Sequence, residues 1–263
     1  MNVDALLHQF SEQQMGGFLL VLGRISPLFL LAPLFSSSMV PARVRGVIAV
    51  ALTVGIAPVA LHNAPKVPLD VLAYAGLMLK ELLVGLAFAF TLSALFAAIS
   101  AAGSFADYFV GFSFGSLIDP ITGNQGGVLN QVYSMFGLLI FVAINGDGWV
   151  IEGLARSYDA IPLTSAPDIG SLAHGAQLAF SGIFGAAVEI CAPVLLAMLL
   201  TDAAFGLVSR VMPSLNVFGV GFPAKVTVGL LVLAASLPFV SGWAGDQLQG
   251  SVASALHMLR VAG

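Results

Sequence analysis

Gly111-Phe112-Ser113-Phe114-Gly115 has the G-x-S-x-G spacing of a nucleophile elbow. In such an elbow a serine on a sharp strand-to-helix turn attacks a carbonyl, and a histidine takes its proton. The sequence supplies neither companion. No strand is apparent before the motif, and His8, His62, His174 and His257 all stand in terminal or connecting stretches. Five-residue patterns of this kind arise by chance in a chain with 29 glycines, so the expectation is that the protein is not an enzyme. Cys191 is the single cysteine, which excludes an intrachain disulfide, and no Cys/His cluster has metal-ligand spacing. It reads as an inert core residue, and no metal or other cofactor is expected. Glu81, Glu189 and Asp202 stand in apolar surroundings, where ionisable groups could relay protons or ions in a secondary transporter. They could also simply pair, since Lys80 adjoins Glu81 and Arg24 or Arg210 could reach the others across helices. No inverted internal repeat supports the transporter.

The setting of these residues is set by composition. Of 263 residues 59% are hydrophobic and 8% charged, with a mean hydropathy of +1.01. A soluble domain carries about a quarter charged residues, so this chain faces lipid, other subunits, or both. The nine basic residues are scattered singly or in pairs and form no stripe that would hold nucleic acid. The first residues, MNVDALLHQFSEQQ, are acidic and lack the positive region of a cleavable signal peptide.

Six apolar segments lie near residues 15–35, 44–62, 69–102, 128–146, 176–208 and 217–243. Each reaches the roughly 20 residues a helix needs to cross about 30 Å of hydrocarbon, and barrel-type alternation is nowhere sustained. The expected fold is therefore all-α: a polytopic membrane-type protein of about six helices. Pro27, Pro33, Pro58, Pro193, Pro223 and Pro238 fall inside these segments and should bend or break them. Arg24, Lys80, Glu81 and Glu189 are charges within apolar runs, at about 2.5–3.5 kcal/mol each on insertion scales for Arg, Lys and Asp at a helix centre. With the N-terminus outside, the inner loops would hold Arg43, Arg45, Arg210 and Lys225, against Lys66, Arg156 and Arg260 opposite. Four against three gives no usable positive-inside bias, which points to partners as what fixes orientation. An amphipathic tail follows, with Leu248, Val252, Leu256 and Leu259 on one helical face.

Two of the connections, 103–127 and 209–216, are unusual; the third, 146–175, has ordinary loop composition. The stretch FVGFSFGSLIDPITGNQGG, residues 109–127, has three phenylalanines, five glycines and no Lys or Arg. Phe109, Phe112, Phe114, Leu117 and Ile118 could form a dewetted constriction, with Gly111 and Gly115 giving the backbone freedom to move. Asp119 followed by Pro120 reads as the cap and first turn of the next helix. The same Phe/Gly pairs could merely pack a turn between helices. In RVMPSLNVFGVGFPAK, residues 210–225, Arg210 suits the negative end of a helix, Pro213 stops that helix and Asn216 caps the next.

This hairpin closely resembles the flagellar biosynthesis protein FliR family and its virulence-system counterparts. The family pattern R-x-x-P-x-x-N-x-F-x-x-G-x-P-x-K is matched by Arg210, Pro213, Asn216, Phe218, Gly221, Pro223 and Lys225. Further matches are Arg24, Pro27, Pro33, Pro41 and Arg45; Glu81 and Gly85; and Ala102, Gly103, Asp107, Gly111, Asp119 and Pro120. NGDGW, at 145–149, departs from the family pattern in lacking a histidine after the glycine.

The resemblance implies a non-enzymatic subunit of the type III secretion export gate, in the bacterial inner membrane at the flagellar basal body. It implies FliP-like and FliQ-like subunits as neighbours, FlhB-like and FlhA-like export components as contacts, and unfolded proteins as substrates. Residues 1–170 would be a FliP-like four-helix region with a plug loop near 106–122 that enters the pore. Residues 171–263 would be a FliQ-like hairpin with the amphipathic tail. The 210–225 hairpin would serve structure and subunit contacts. A virulence secretion system is the nearest alternative implied.

Overall fold

A computed structural model describes residues 12–36, 40–62, 67–68, 70–113, 127–214 and 216–263. Among them the protein is all-α, as expected. The helices are α1 Glu12–Ile25, α2 Leu28–Leu31, α3 Ala42–Leu61, α4 Val71–Val110, α5 Val128–Ala143, α6 Gly146–Ala160, α7 Ile169–Val211 and α8 Val217–Ala262. Five stretches are long and apolar enough to cross a membrane, and a sixth is counted if α5 and α6, bent by 70°, form one span.

Proline acts as anticipated in the first segment. Pro27 separates α1 from the single turn of α2, and the chain leaves helical geometry before Pro33. Pro58, Pro193, Pro223 and Pro238 are instead carried inside helices. α4, α7 and α8 have 40, 43 and 46 residues. At about 1.5 Å per residue each is roughly twice as long as the hydrocarbon is thick. The amphipathic tail is thus the end of α8, with Leu248, Val252 and Leu259 buried and Leu256 half-buried.

Two connections are shorter than expected. Residues 103–110 continue α4, so Phe109 is helical rather than part of a loop. The apolar count fell at Gly103, but alternating small and large residues keep the buried face going through Ala106 and Val110. Most of 146–175 is also helical. Val150, Gly153, Leu154, Ser157 and Tyr158 recur at helical spacing and are all buried, a pattern hidden by the polar residues between them. NGDGW is the bend, with Asn145 in the left-handed region at φ 59°.

By contact the chain forms two compact units that interleave along the sequence. The first takes residues up to Ser93, Asn145–Phe180 and Leu248–Gly263; the second takes Ala94–Ile144 and Ser181–Gln247. The core of the first is built from Leu20, Ile25, Phe88, Leu154, Ile161 and Leu259. In the second, Leu129, Ile190, Val194 and Met198 are fully buried, and the Phe96 and Phe141 rings meet edge-on at 5.3 Å.

Candidate functional site

Three charged residues expected within apolar runs meet in the core of the first unit. Arg24, near the end of α1, places its Nε 2.5 Å and one terminal nitrogen 3.1 Å from the carboxylate oxygens of Glu81 on α4. Its remaining N–H groups donate to the Ser157 carbonyl and hydroxyl, at 3.0 and 3.2 Å, and to the Ile161 carbonyl at 2.8 Å. All five guanidinium donors are thereby satisfied. The Tyr158 ring lies 4.0 Å from the guanidinium carbon, adding a cation–π contact. Lys80 donates to the second oxygen of Glu81 at 2.6 Å and to the carbonyls of Pro162 and Leu163 at 3.0 and 2.5 Å. The side chains of Arg24 and Glu81 are 0% exposed. Such a group is bound, not poised: Glu81 has no open side from which to take an ion. The trio ties α1 and α4 to the turn after α6. Gly85, one turn on from Glu81, permits this approach, because a Cβ there would meet the Arg24 carbonyl oxygen at 2.1 Å.

The second unit holds the start of the glycine–phenylalanine stretch. α4 ends at Val110, whose side chain packs where a Cβ on Gly229 of α8 would stand, 2.6 Å away. Gly111 follows at φ 101°, with its N–H on the Asp107 carbonyl at 3.0 Å. That conformation favours glycine, so the turn out of the helix depends on this residue. Phe109 and Phe112 are half-buried. Phe114, Gly115, Leu117 and Ile118, with Asp119 and Pro120, lie outside the described residues.

The chain returns at Gly127, and here Asp107, one of the residues that match the family pattern, takes a role not anticipated from sequence. Asp107, 2% exposed, accepts hydrogen bonds from the backbone N–H groups of Leu129 and Asn130, each at 2.8 Å. It caps α5 from another helix and satisfies donors that an apolar helix start leaves bare. Gly103 and Gly127 make room: a Cβ on Gly127 would fall 1.7 Å from an Asp107 oxygen, and one on Gly103 would fall 2.6 Å from the Asn130 Cα. Asn130 in turn donates to the Ser100 carbonyl at 2.8 Å. Both ends of the 111–127 stretch are therefore anchored at one point. The sequence offered two signals, a carboxylate near the end of an apolar helix and its match to the family pattern.

The hairpin of α7 and α8 also belongs to the second unit. Arg210 is exposed in the last turn of α7, and Pro213 stands in the turn beyond it. Asn216 Oδ1 accepts from the Gly219 N–H at 3.0 Å, as a cap should. Phe218 lies in the first turn of α8, Gly221 is buried and Pro223 exposed. Lys225 pairs with Asp202 at 2.8 Å, joining the two helices, with side chains 22% and 51% exposed. This half-open pair contributes modestly.

Glu189, grouped above with charges inside apolar runs, is exposed on this chain instead, at the middle of α7. The residues of α7 that the core uses are Ala187, Ile190, Cys191 and Val194, leaving Glu189 on the opposite side. Ser113 follows a 40-residue helix, where a nucleophile elbow requires a strand. Among the described residues no group of three His, Cys, Asp or Glu side chains is arranged to hold a metal ion.

Residues 15–251 match the family described as bacterial export proteins, family 1. The chain is 36% identical over 219 residues to the flagellar biosynthetic protein FliR of Bacillus subtilis (strain 168), covering 82% of this chain and 84% of that one. It is 31% identical over 220 residues to the FliR protein of Escherichia coli (strain K12), covering 83% of each. The surface presentation of antigens protein SpaR of Shigella flexneri is 27% identical over 214 residues, covering 80% of each.

Proposed function

The chain belongs to the bacterial export proteins, family 1, and from that premise we propose that it is a subunit of the flagellar type III protein-export gate. The observation that carries the reading is the similarity to flagellar FliR proteins over four-fifths of the chain. The chain then works only in a hetero-oligomer with FliP-like and FliQ-like subunits, in contact with FlhB-like and FlhA-like components. Residues 1–170 take the FliP-like part and 171–263 the FliQ-like part. The assembly sits in the bacterial inner membrane at the flagellar basal body and passes unfolded flagellar proteins.

Within it the 109–127 stretch serves as plug. A pore for unfolded chains must exclude ions at rest and open for a substrate. Phenylalanines at 109, 112 and 114, with Leu117 and Ile118, supply an apolar, uncharged seal that dewets and binds no substrate by charge. The anchoring of both ends by Asp107 supports this reading, because a mobile seal needs a fixed base. Gly111, and beyond it Gly115, are the hinges. The 210–225 hairpin, capped by Asn216 and joined by Lys225 and Asp202, serves structure and subunit contacts.

Removing the gene from its native host tests the proposal. Flagellar subunits should then accumulate inside the cell and vanish from the medium, with restoration by the intact gene. Undiminished flagellar export would refute it. The SpaR relatives support a virulence secretion system as second reading; loss of other secreted proteins with motility retained would select it.

A further inference from the structure

We infer that the exposed face of α7 centred on Glu189 receives an apolar helix of a different subunit, and that this helix presents an arginine or lysine at the level of Glu189. The inference rests on the export-gate reading and adds the chemistry of one contact to it. Glu189 stands midway along 43 helical residues, exposed on this chain, with no bonded partner among the described residues. At helical spacing it shares a stripe with Gly182, Gly185, Leu196 and Leu200. Leu196 and Leu200 are 62% and 72% exposed. An ionised carboxylate among such groups costs several kcal/mol if it faces lipid.

A second observation points to a donor-rich partner. Pro193 lies four residues beyond Glu189 and has no N–H, so the Glu189 carbonyl lacks its helical donor. A side-chain carboxylate and a free backbone carbonyl thus lie at one level on the helix. A guanidinium or an ammonium offers several donors to such a pair. The stripe also leaves space: a Cβ on Gly182 or Gly185 would meet nothing within 4 Å, so another helix can come close.

The occupant is not a second copy of this chain. A symmetric contact would set Glu189 against Glu189. The cations of its span-length segments do not answer it at mid-helix: Arg24 and Lys80 are buried on Glu81, Lys225 is bound to Asp202, Arg43 and Arg45 stand in the first turn of α3, and Arg210 and Arg260 stand in last turns. A water-filled channel is disfavoured by Leu196 and Leu200, large apolar side chains exposed farther along the same stripe.

The test is a photo-reactive phenylalanine analogue at Leu196, which leaves Glu189 intact, in membranes of the native host making the full complex. The expected product is a crosslink to an apolar helix of another subunit with an Arg or Lys within one turn of the Glu189 level. A crosslink to a second copy, to lipid alone, or to a helix without a cation would overturn the inference. Glu189→Lys should lower co-purification of that subunit about tenfold, and reversing its cation to Glu should restore it. Glu189→Ala should lower it less. Rapid labelling of a Glu189→Cys variant by a membrane-impermeant maleimide in the assembled complex would also overturn it, marking a water-lined wall. If the unaltered chain purifies with no other subunit, the export-gate reading itself fails, which is a separate outcome.

Discussion

The Asp107 carboxylate reaches across 22 residues to accept the backbone N–H of Leu129 at 2.8 Å, and so ties the end of α4 to the start of α5. Loss of a capping side chain costs about 0.5–2 kcal/mol. Asp107→Ala should fall at the upper end, because two donors, one buried and one half-buried, lose their acceptor. Asp107→Asn keeps one acceptor oxygen and should cost less. Thermal unfolding of the purified assembly ranks the two, and equal midpoints for Asp107→Ala and the unaltered protein would show that the clamp contributes nothing.

The buried trio makes a prediction about order. Two cations, Arg24 and Lys80, share one anion, Glu81. Glu81→Gln leaves both cations without a counter-charge and should be the most damaging, by about 3–5 kcal/mol. Lys80→Met leaves the Arg24–Glu81 pair intact and should be the mildest. The amount of chain retained in membranes, and its resistance to limited proteolysis, should follow that order. A Lys80→Met variant as poorly retained as Glu81→Gln would contradict it.

Sealing by the plug predicts a leak. Phe112→Ala with Phe114→Ala should leave the assembly intact and raise ion conductance through it, since a dewetted constriction depends on apolar bulk. Conductance measured in reconstituted vesicles decides this, and an unchanged leak would remove these two residues from the seal.

The start of α7 carries a pH dependence. The Ser171 hydroxyl, then the N–H groups of Ser171 and Gly170, hold the Asp168 carboxyl below its ordinary value of 3.8. A pKa lowered by folding stabilises the folded form above the unfolded value, and that contribution is lost as pH falls through the folded one. Protection of the Gly170 and Ser171 amides from hydrogen exchange, relative to Asp168→Ala, should therefore be level above pH about 4 and shrink below it. A ratio independent of pH would refute the cap.

The parts of this structure that rest on periodic apolar residues or on proline were legible in the sequence. The all-α fold, the break at Pro27, the Asn216 cap and the buried face of the tail all follow from local pattern. What escaped depends on backbone atoms brought from afar. The carbonyls of Ser157, Ile161 and Leu163 that complete the charged trio have no side-chain signature. Asp107 could be seen as an oddity in an apolar helix, but not its partners, which are N–H groups of the next helix. Glu189 was grouped with the buried charges on hydropathy alone, and only the packing of Ile190 and Cys191 shows that it points the other way.

The central claim is that this chain works inside a hetero-oligomeric export gate. The most direct measurement is a mild-detergent purification of the tagged chain from its native host, with mass spectrometry of what accompanies it. The account predicts a single stable particle that holds FliP-like and FliQ-like subunits. A stable, folded monomer or homodimer, with no other subunit bound, would contradict it.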